Sequence, residues 1–148
     1  MQAYIVTCFE SNQERCELAF QAEGYQAKII TSNFSHINKD IRRNIPEDCL
    51  VIDSIPYKKN LSVSRIISHY KFAKDAFMLL EKQEADLIWL MAPANSLIKQ
   101  ADLYKRKRPQ SKIIIDMIDM WPESLPINVN KNIFPLNIWK NIRMKQIM

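Results

Sequence analysis

Glycine is almost missing from this chain: Gly24 is the only one among 148 residues. Phosphate loops of the G-x-G-x-x-G or G-x-x-x-x-G-K type need several glycines for a tight turn and close backbone approach, so their absence argues against a nucleotide gripped by such a loop. Cysteine is scarce too. Cys8, Cys16 and Cys49 are odd in number and widely spaced, with no C-x-x-C pair, which supports neither a zinc site nor a disulfide framework. They read as small buried hydrophobes in a reducing compartment, with Cys8, near a strand end, the one placed to line a site. No apolar run approaches the ~20 residues of a membrane-spanning helix. Met1 to Phe9 lacks the positive region and cleavage site of a signal peptide. The expectation from these absences is a cytoplasmic protein.

What is present is an ordinary globular balance, 47% hydrophobic and 25% charged, which excludes wholesale disorder and suits one domain with a sizeable core. The net charge of +5 points toward an anionic partner such as phosphate, nucleic acid or a lipid surface.

Taken in order, Ala3 to Cys8 reads as a short apolar strand. Asn12 can cap the helix that follows, Leu18, Ala19 and Ala22 supply its inner face, and Gly24 suits a left-handed C-terminal cap. Gln26 to Thr31 is a second strand, and Ser32 to Pro46 a polar, basic loop carrying His36, Lys39, Arg42 and Arg43. Cys49 to Ile55 is a third strand. Ile66, Tyr70, Ala73, Phe77 and Leu80 then recur at steps of four and three, one apolar stripe on a helix that Ser62 or Ser64 can cap. His69 lies beside that stripe, where a partly buried or solvated side chain is the plain expectation. Asp86 to Met91 is a fourth strand. A helix through Tyr104 follows, with Leu97, Ala101 and Tyr104 facing inward, and Lys105 to Arg108 complements its C-terminal dipole before Pro109.

The stretch Lys112 to Glu123, K-I-I-I-D-M-I-D-M-W-P-E, organises the rest. Its apolar opening reads as a fifth strand buried on both faces. It ends in Asp116, Asp119, Trp121-Pro122 and Glu123. Strands and helices alternate without a two-residue hairpin signal, which implies crossover connections and a three-layer α/β domain with a mainly parallel sheet of at least five strands. Ligands of such sheets gather beyond the carboxyl ends of the strands, where Asp119, Trp121 and Glu123 fall. After Glu123 come a Pro- and Asn-rich loop and then Asn137 to Met148, in which Ile138, Trp139 and Ile142 share a helical face. The charges there are all basic, including Lys140, Arg143 and Lys145, which suits either a membrane interface or docking on a neighbouring domain.

Several stretches together resemble the N-terminal domain of a bacterial glycosyltransferase of the retaining, family-4-like group that builds capsular and other surface polysaccharides. They are T-S-N-F-S-H at Thr31 to His36, P-Y-K-K-N-L-S at Pro56 to Ser62, S-H-Y-K-F at Ser68 to Phe72, P-A-N-S-L at Pro93 to Leu97, and D-M-I-D-M-W-P-E-S at Asp116 to Ser124. They span most of the chain in the family's order. The resemblance implies two Rossmann-like domains facing across a cleft, the GT-B arrangement. Residues 1–126 would be the acceptor-side domain, and residues 127–148 a loop and partial helix leading to a C-terminal donor-binding domain that these residues do not include. On that reading the chain would not turn over alone. Nucleotide sugar is the implied donor, with no metal, and a lipid-diphosphate-linked saccharide the implied acceptor.

The resemblance also implies roles. Asp119 is the first candidate to accept a hydrogen bond from the acceptor hydroxyl and Glu123 the second, with capping of the following turn as the structural alternative for both. Trp121 could stack on a sugar or pack under the loop. Asn95 and Ser96 could bond acceptor hydroxyls or cap their helix, and His36 falls on the substrate side. Asn12, at a helix N-terminus, could offer amides to a phosphate. The sequence departs from the family's pattern in two places: Phe9-Glu10-Ser11-Asn12 replaces a glycine-rich turn, and Ile118 stands where many relatives carry a histidine, so neither feature can be assigned here. Lys39, Arg42, Arg43, Lys140, Arg143 and Lys145 would attract anionic lipid or diphosphate at the inner membrane face, at ~1 kcal/mol per charge. The alternative is a non-catalytic α/β module for an anionic ligand: phosphate, nucleotide or nucleic acid. A receiver domain would need paired acids after the first strand, where Cys8-Phe9-Glu10 has one. No nucleic-acid recognition motif is visible, and no nucleic-acid partner is expected.

Overall fold

The computed structural model describes residues 1–10, 20–21, 23–60, 62–92 and 95–117, with the side chains of residues 92 and 95 also left aside. The expected architecture is present. Strands β1 (Gln2–Thr7), β2 (Gln26–Ser32), β5 (Leu50–Ile52), β6 (Leu87–Ala92) and β7 (Lys112–Met117) form a five-stranded sheet in the order β5-β2-β1-β6-β7. Every pairing in it is parallel. The two described helices, α1 (Val63–Glu81) and α2 (Asn95–Lys107), pack on each other and on strands of the sheet. This is an α/β Rossmann-like fold. The strand order reverses beside β1, so the carboxyl ends of β1 and its neighbours open onto the crevice where such sheets bind ligands.

β1 shows why the sheet is buried at its centre. Tyr4, Val6 and Cys8 enter one apolar cluster with Phe72, Phe77, Leu80, Leu97 and Tyr104, while Ala3 and Ile5 enter a second with Phe20, Ile29, Leu87 and Met91. The period of two sends alternate side chains to opposite faces, so a strand covered on both sides must be apolar throughout. Cys8 is core, and burial above all pushes its thiol up to about 12, which makes it inert rather than reactive.

Local signals act as expected at several ends. Gly24 is left-handed, φ 75°. Its amide donates to Gln21 O at 3.1 Å, and the Tyr25 amide to Phe20 O at 2.9 Å. That pairing is a Schellman C-cap. Ser62 caps α1, its Oγ accepting from the Arg65 amide at 3.2 Å. The inward face of α2 is Leu97, Ala101 and Tyr104. Its basic end is structural: the Lys105 ammonium donates to Pro109 O and Ser111 O, Arg106 pairs with Asp102, and Lys107 pairs with Glu81.

Three expectations need correction. The third strand covers only Leu50–Ile52, because the chain beyond it leaves the sheet to form the loop that carries Tyr57. β7 is not buried on both faces. Among the described residues it is an edge strand, with Ile114, Ile115 and Met117 40 to 44% exposed. The stripe on α1 is rotated. Tyr70 is 49% exposed, and the buried face runs through Arg65, Ser68, His69, Phe72, Ala73, Ala76, Phe77 and Leu80. The first turns of α1 cover the polar rim of the sheet instead of its apolar centre, and an apolar-in reading cannot see that. The basic loop after β2 also holds a small antiparallel pair, β3 (Phe34–Ser35) with β4 (Asp40–Ile41). No described helix is long and apolar enough to cross a membrane.

Candidate functional site

At the carboxyl ends of β1, β2 and β5 the chain makes three turns that converge. Thr7 sets the first: its Oγ1 accepts from the Phe9 amide at 3.1 Å and donates to Phe9 O at 3.2 Å, a hydroxyl turn that lifts Phe9 and Glu10 to the rim. Asn33 sets the second and third. Its amide hydrogen goes to Ile52 O, its Nδ2 donates to Asp53 Oδ1 at 2.7 Å, and its Oδ1 accepts from the Ser54 amide at 3.0 Å. One side chain thus fixes the exit of β2 to the exit of β5. The loops beyond these staples carry His36, Lys39, Tyr57 and Asn60.

These side chains meet. Tyr57 Oη lies 2.7 Å from His36 Nδ1. Phe9 meets His36 edge-on at 4.8 Å between ring centres and His69 at 5.7 Å, and Tyr57 meets Phe34 at 4.8 Å and His69 at 6.0 Å. The Lys39 ammonium donates to the His36 carbonyl and to Asn60 Oδ1 and lies 5.1 Å from the Tyr57 ring centre. Arg65, only 4% exposed, donates from Nη1 to Asn60 O at 3.2 Å and points Nε at His69 Nε2 at 3.5 Å. Glu10 closes the other side. Its carboxylate accepts from Ser35 Oγ at 2.6 Å and from the His36 and Ile37 amides.

Arg65 sets the field of this cluster. Burial first, then Arg65, pulls His36 down to about 4 and His69 down to about 3. Lys39 is lowered by the same two causes in the same order. Tyr57 is pushed up to about 12, by burial foremost. Burial works to raise the Glu10 carboxyl, but the hydrogen bonds from Ser35, His36 and Ile37 outweigh it and hold it below the usual range. At neutral pH both imidazoles are therefore uncharged. Tyr57 keeps its proton. The Lys39 ammonium, 3.5 Å from the same His36 Nδ1, can only donate, so Nδ1 is the acceptor, the phenol donates a hydrogen bond to it, and the His36 proton sits on Nε2. His36 is a hydrogen-bond donor there and a poor base. The chemistry available is cationic: Lys39 and Arg65, with Lys58 and Lys59 on the neighbouring loop.

The chain matches no family model, and no curated protein matches it either.

The site residues expected from the sequence divide into groups. His36 and Lys39 come together at the rim. Arg42 donates from Nη1 to Thr31 Oγ1 at 3.0 Å and to Ser32 O at 2.9 Å, so it clamps the end of β2 while lining, with Arg43, a second cleft of about 580 Å³ beside Glu10 and Asn38. The Ser96 hydroxyl donates to His69 O at 3.0 Å, tying α2 to α1. Asn95 opens α2, and its side chain lies outside the described part. Asn12, Asp119, Trp121, Glu123, Lys140, Arg143 and Lys145 lie outside the described residues. Among the described residues no group of three or more His, Cys, Asp or Glu is arranged to hold a metal ion. Glu10, Tyr57, Asn60, Arg65 and His69 were not picked out as site residues from the sequence. Of these, Tyr57 and Asn60 carry a signal, the P-Y-K-K-N spacing at Pro56 to Asn60, a lysine pair beside an aromatic in a turn; Glu10, Arg65 and His69 carry none.

Proposed function

We propose that this chain is the acceptor-side half of a glycosyltransferase, which moves a sugar from a nucleotide-sugar donor to a lipid-linked or saccharide acceptor in surface polysaccharide synthesis. The observation that carries the reading is the cluster of Lys39, Arg65, His36 and Tyr57 on the carboxyl rim of an all-parallel sheet. Transfer to a diphosphate-linked acceptor needs positive charge for the diphosphate and fixed donors for the sugar. The rim supplies both, with Lys39 and Arg65 as cations and His36 Nε2–H as a neutral donor. The resembling motifs support the same reading, since two of them, at Thr31 to His36 and Pro56 to Ser62, are the loops that meet at this rim.

On this reading Asp119 orients the acceptor hydroxyl, Glu123 assists it, and Trp121 stacks on the sugar. A second domain binds the donor and supplies the remaining catalytic groups. The protein works in the cytoplasm on the inner membrane face, where its basic residues attract anionic headgroups. The test presents the complete gene product with a panel of nucleotide sugars and prenyl-diphosphate-linked saccharides, and detects product by mass spectrometry. Transfer that falls at least 100-fold in Asp119→Asn supports the reading. No transfer and no nucleotide-sugar binding across the panel would refute it.

A second reading is a non-catalytic binding module for an anionic ligand. The cation-rich rim favours it, because that rim needs no reacting group to hold an anion. Anion binding without any turnover by the complete gene product would select it.

A further inference from the structure

Beside the rim cluster lies an open cleft of about 410 Å³, walled by Lys39, Tyr57, Lys58, Lys59, Ser62 and Ser64. We propose that this cleft is a diphosphate-binding site in which Lys39, Lys58 and Lys59 converge on the anion. Its volume falls within the range of small-molecule sites. Among the described residues its wall has three lysines, the two serines and Tyr57, and no carboxylate. The acid of the rim cluster, Glu10, does not line this cleft and is engaged by Ser35 and two backbone amides.

The three cations are not held alike. Lys58 and Lys59 are exposed on the β5–α1 loop. That loop is pinned where it enters the helix, because Ser62 Oγ donates to Lys59 O at 2.8 Å while accepting from the Arg65 amide. Lys39 comes from the turn between β3 and β4, with its ammonium already oriented by the His36 carbonyl and Asn60 Oδ1. Its backbone is left-handed, φ 58°, a conformation glycine or asparagine adopts more readily. That conformation costs backbone energy, which the contacts of the Lys39 side chain help to offset. Burial and the Arg65 charge lower its pKa, and a bound anion would relieve that repulsion.

The wall also selects the class of anion. Lysines act as point charges and suit the dispersed charge of phosphate oxygens, whereas planar carboxylate recognition favours the arginine fork. Tyr57 is buried at 4% exposure, so the cleft offers no open aromatic platform for stacking bases. The site is argued from its own residues and rests on the transferase proposal only for the idea that a lipid-linked saccharide carries the diphosphate.

The experiment uses the full chain at low ionic strength. Inorganic pyrophosphate is titrated by calorimetry and by amide NMR into wild type, K58A/K59A, and a charge-matched control, K28A/K74A, which removes two exposed lysines away from the cleft. The expected result is saturable binding with shifts at Lys39, Lys58, Lys59 and Ser64, weakened at least 10-fold in K58A/K59A and less than twofold in the control. Equal weakening in both double variants, or unchanged binding in K58A/K59A, would overturn the site, as would no heat or shift at millimolar pyrophosphate. Geranyl diphosphate and phosphatidylglycerol vesicles separate the sources. Geranyl diphosphate competing with pyrophosphate for the same residues supports a diphosphate headgroup. Vesicle binding that K58A/K59A leaves intact, with no pyrophosphate binding, overturns the site in favour of general surface charge. No pyrophosphate binding by the wild type, with sugar transfer intact, would remove this site alone. Pyrophosphate binding without any transfer would leave it standing and remove the transferase proposal.

Discussion

Tyr57 Oη and His36 Nδ1 lie 2.7 Å apart, and this contact joins the loop after β2 to the loop after β5. Tyr57 is pushed up to about 12 and His36 down to about 4, burial being the first cause of each, so both are neutral near pH 7; the Lys39 ammonium 3.5 Å from Nδ1 can only donate, so the imidazole accepts there and the phenol donates. Removing the donor leaves a half-buried acceptor without its phenol. Tyr57→Phe is expected to cost about 1 kcal/mol of stability by urea unfolding. Imidazole ¹⁵N shifts should move from a single Nε2–H tautomer toward a mixture.

The two imidazoles also give stability a pH dependence of definite sign. Both folded-state pKa values are depressed, His36 to about 4 and His69 to about 3, by burial first and then by Arg65. As pH falls below the ordinary value near 6.5, the unfolded chain takes up protons that the folded chain refuses, so stability falls. It should be flat above about pH 7.5. By pH 5 it should have dropped by about 2 kcal/mol for buried His69 and less for half-buried His36. Denaturant midpoints between pH 8 and 5 measure this, and His69→Gln should flatten the curve.

Lys39 and Gly24 share the left-handed region, at φ 58° and 75°. Lys39→Gly should be more stable than Lys39→Ala by about 1 kcal/mol, because both lose the side chain but only glycine relaxes the backbone.

At Gly24 a Cβ would meet nothing within 4 Å, so the cost of Gly24→Ala is purely conformational. About 1 kcal/mol is expected, and Gly24→Asn should lose less than Gly24→Ala. Thermal unfolding of the wild type and these two variants decides it.

Much of the fold was legible because its signals are local. β1 and β6 are apolar runs, Gly24 is a lone glycine where a helix must end, and Leu97, Ala101 and Tyr104 keep helical spacing. The rim was not legible for the opposite reason. Arg65 and His69 sit one turn apart on α1, where a stripe of Ile66, Tyr70 and Ala73 competes with them in the pattern. Their burial is decided by Tyr57, Phe9 and His36 from three other segments. Pairwise convergence of loops after separate strands leaves no periodicity in sequence. β7 misled for a related reason: an apolar strand reads alike at the centre and the edge of a sheet.

The most direct test asks which substrate the rim serves. With the complete gene product, Lys39→Gly removes the charged side chain without straining the backbone. The account predicts a rise of about 10-fold in KM for a prenyl-diphosphate-linked acceptor, equivalent to roughly 1.4 kcal/mol, with KM for the nucleotide sugar unchanged. A rise in the nucleotide-sugar KM with the acceptor value unmoved would contradict it.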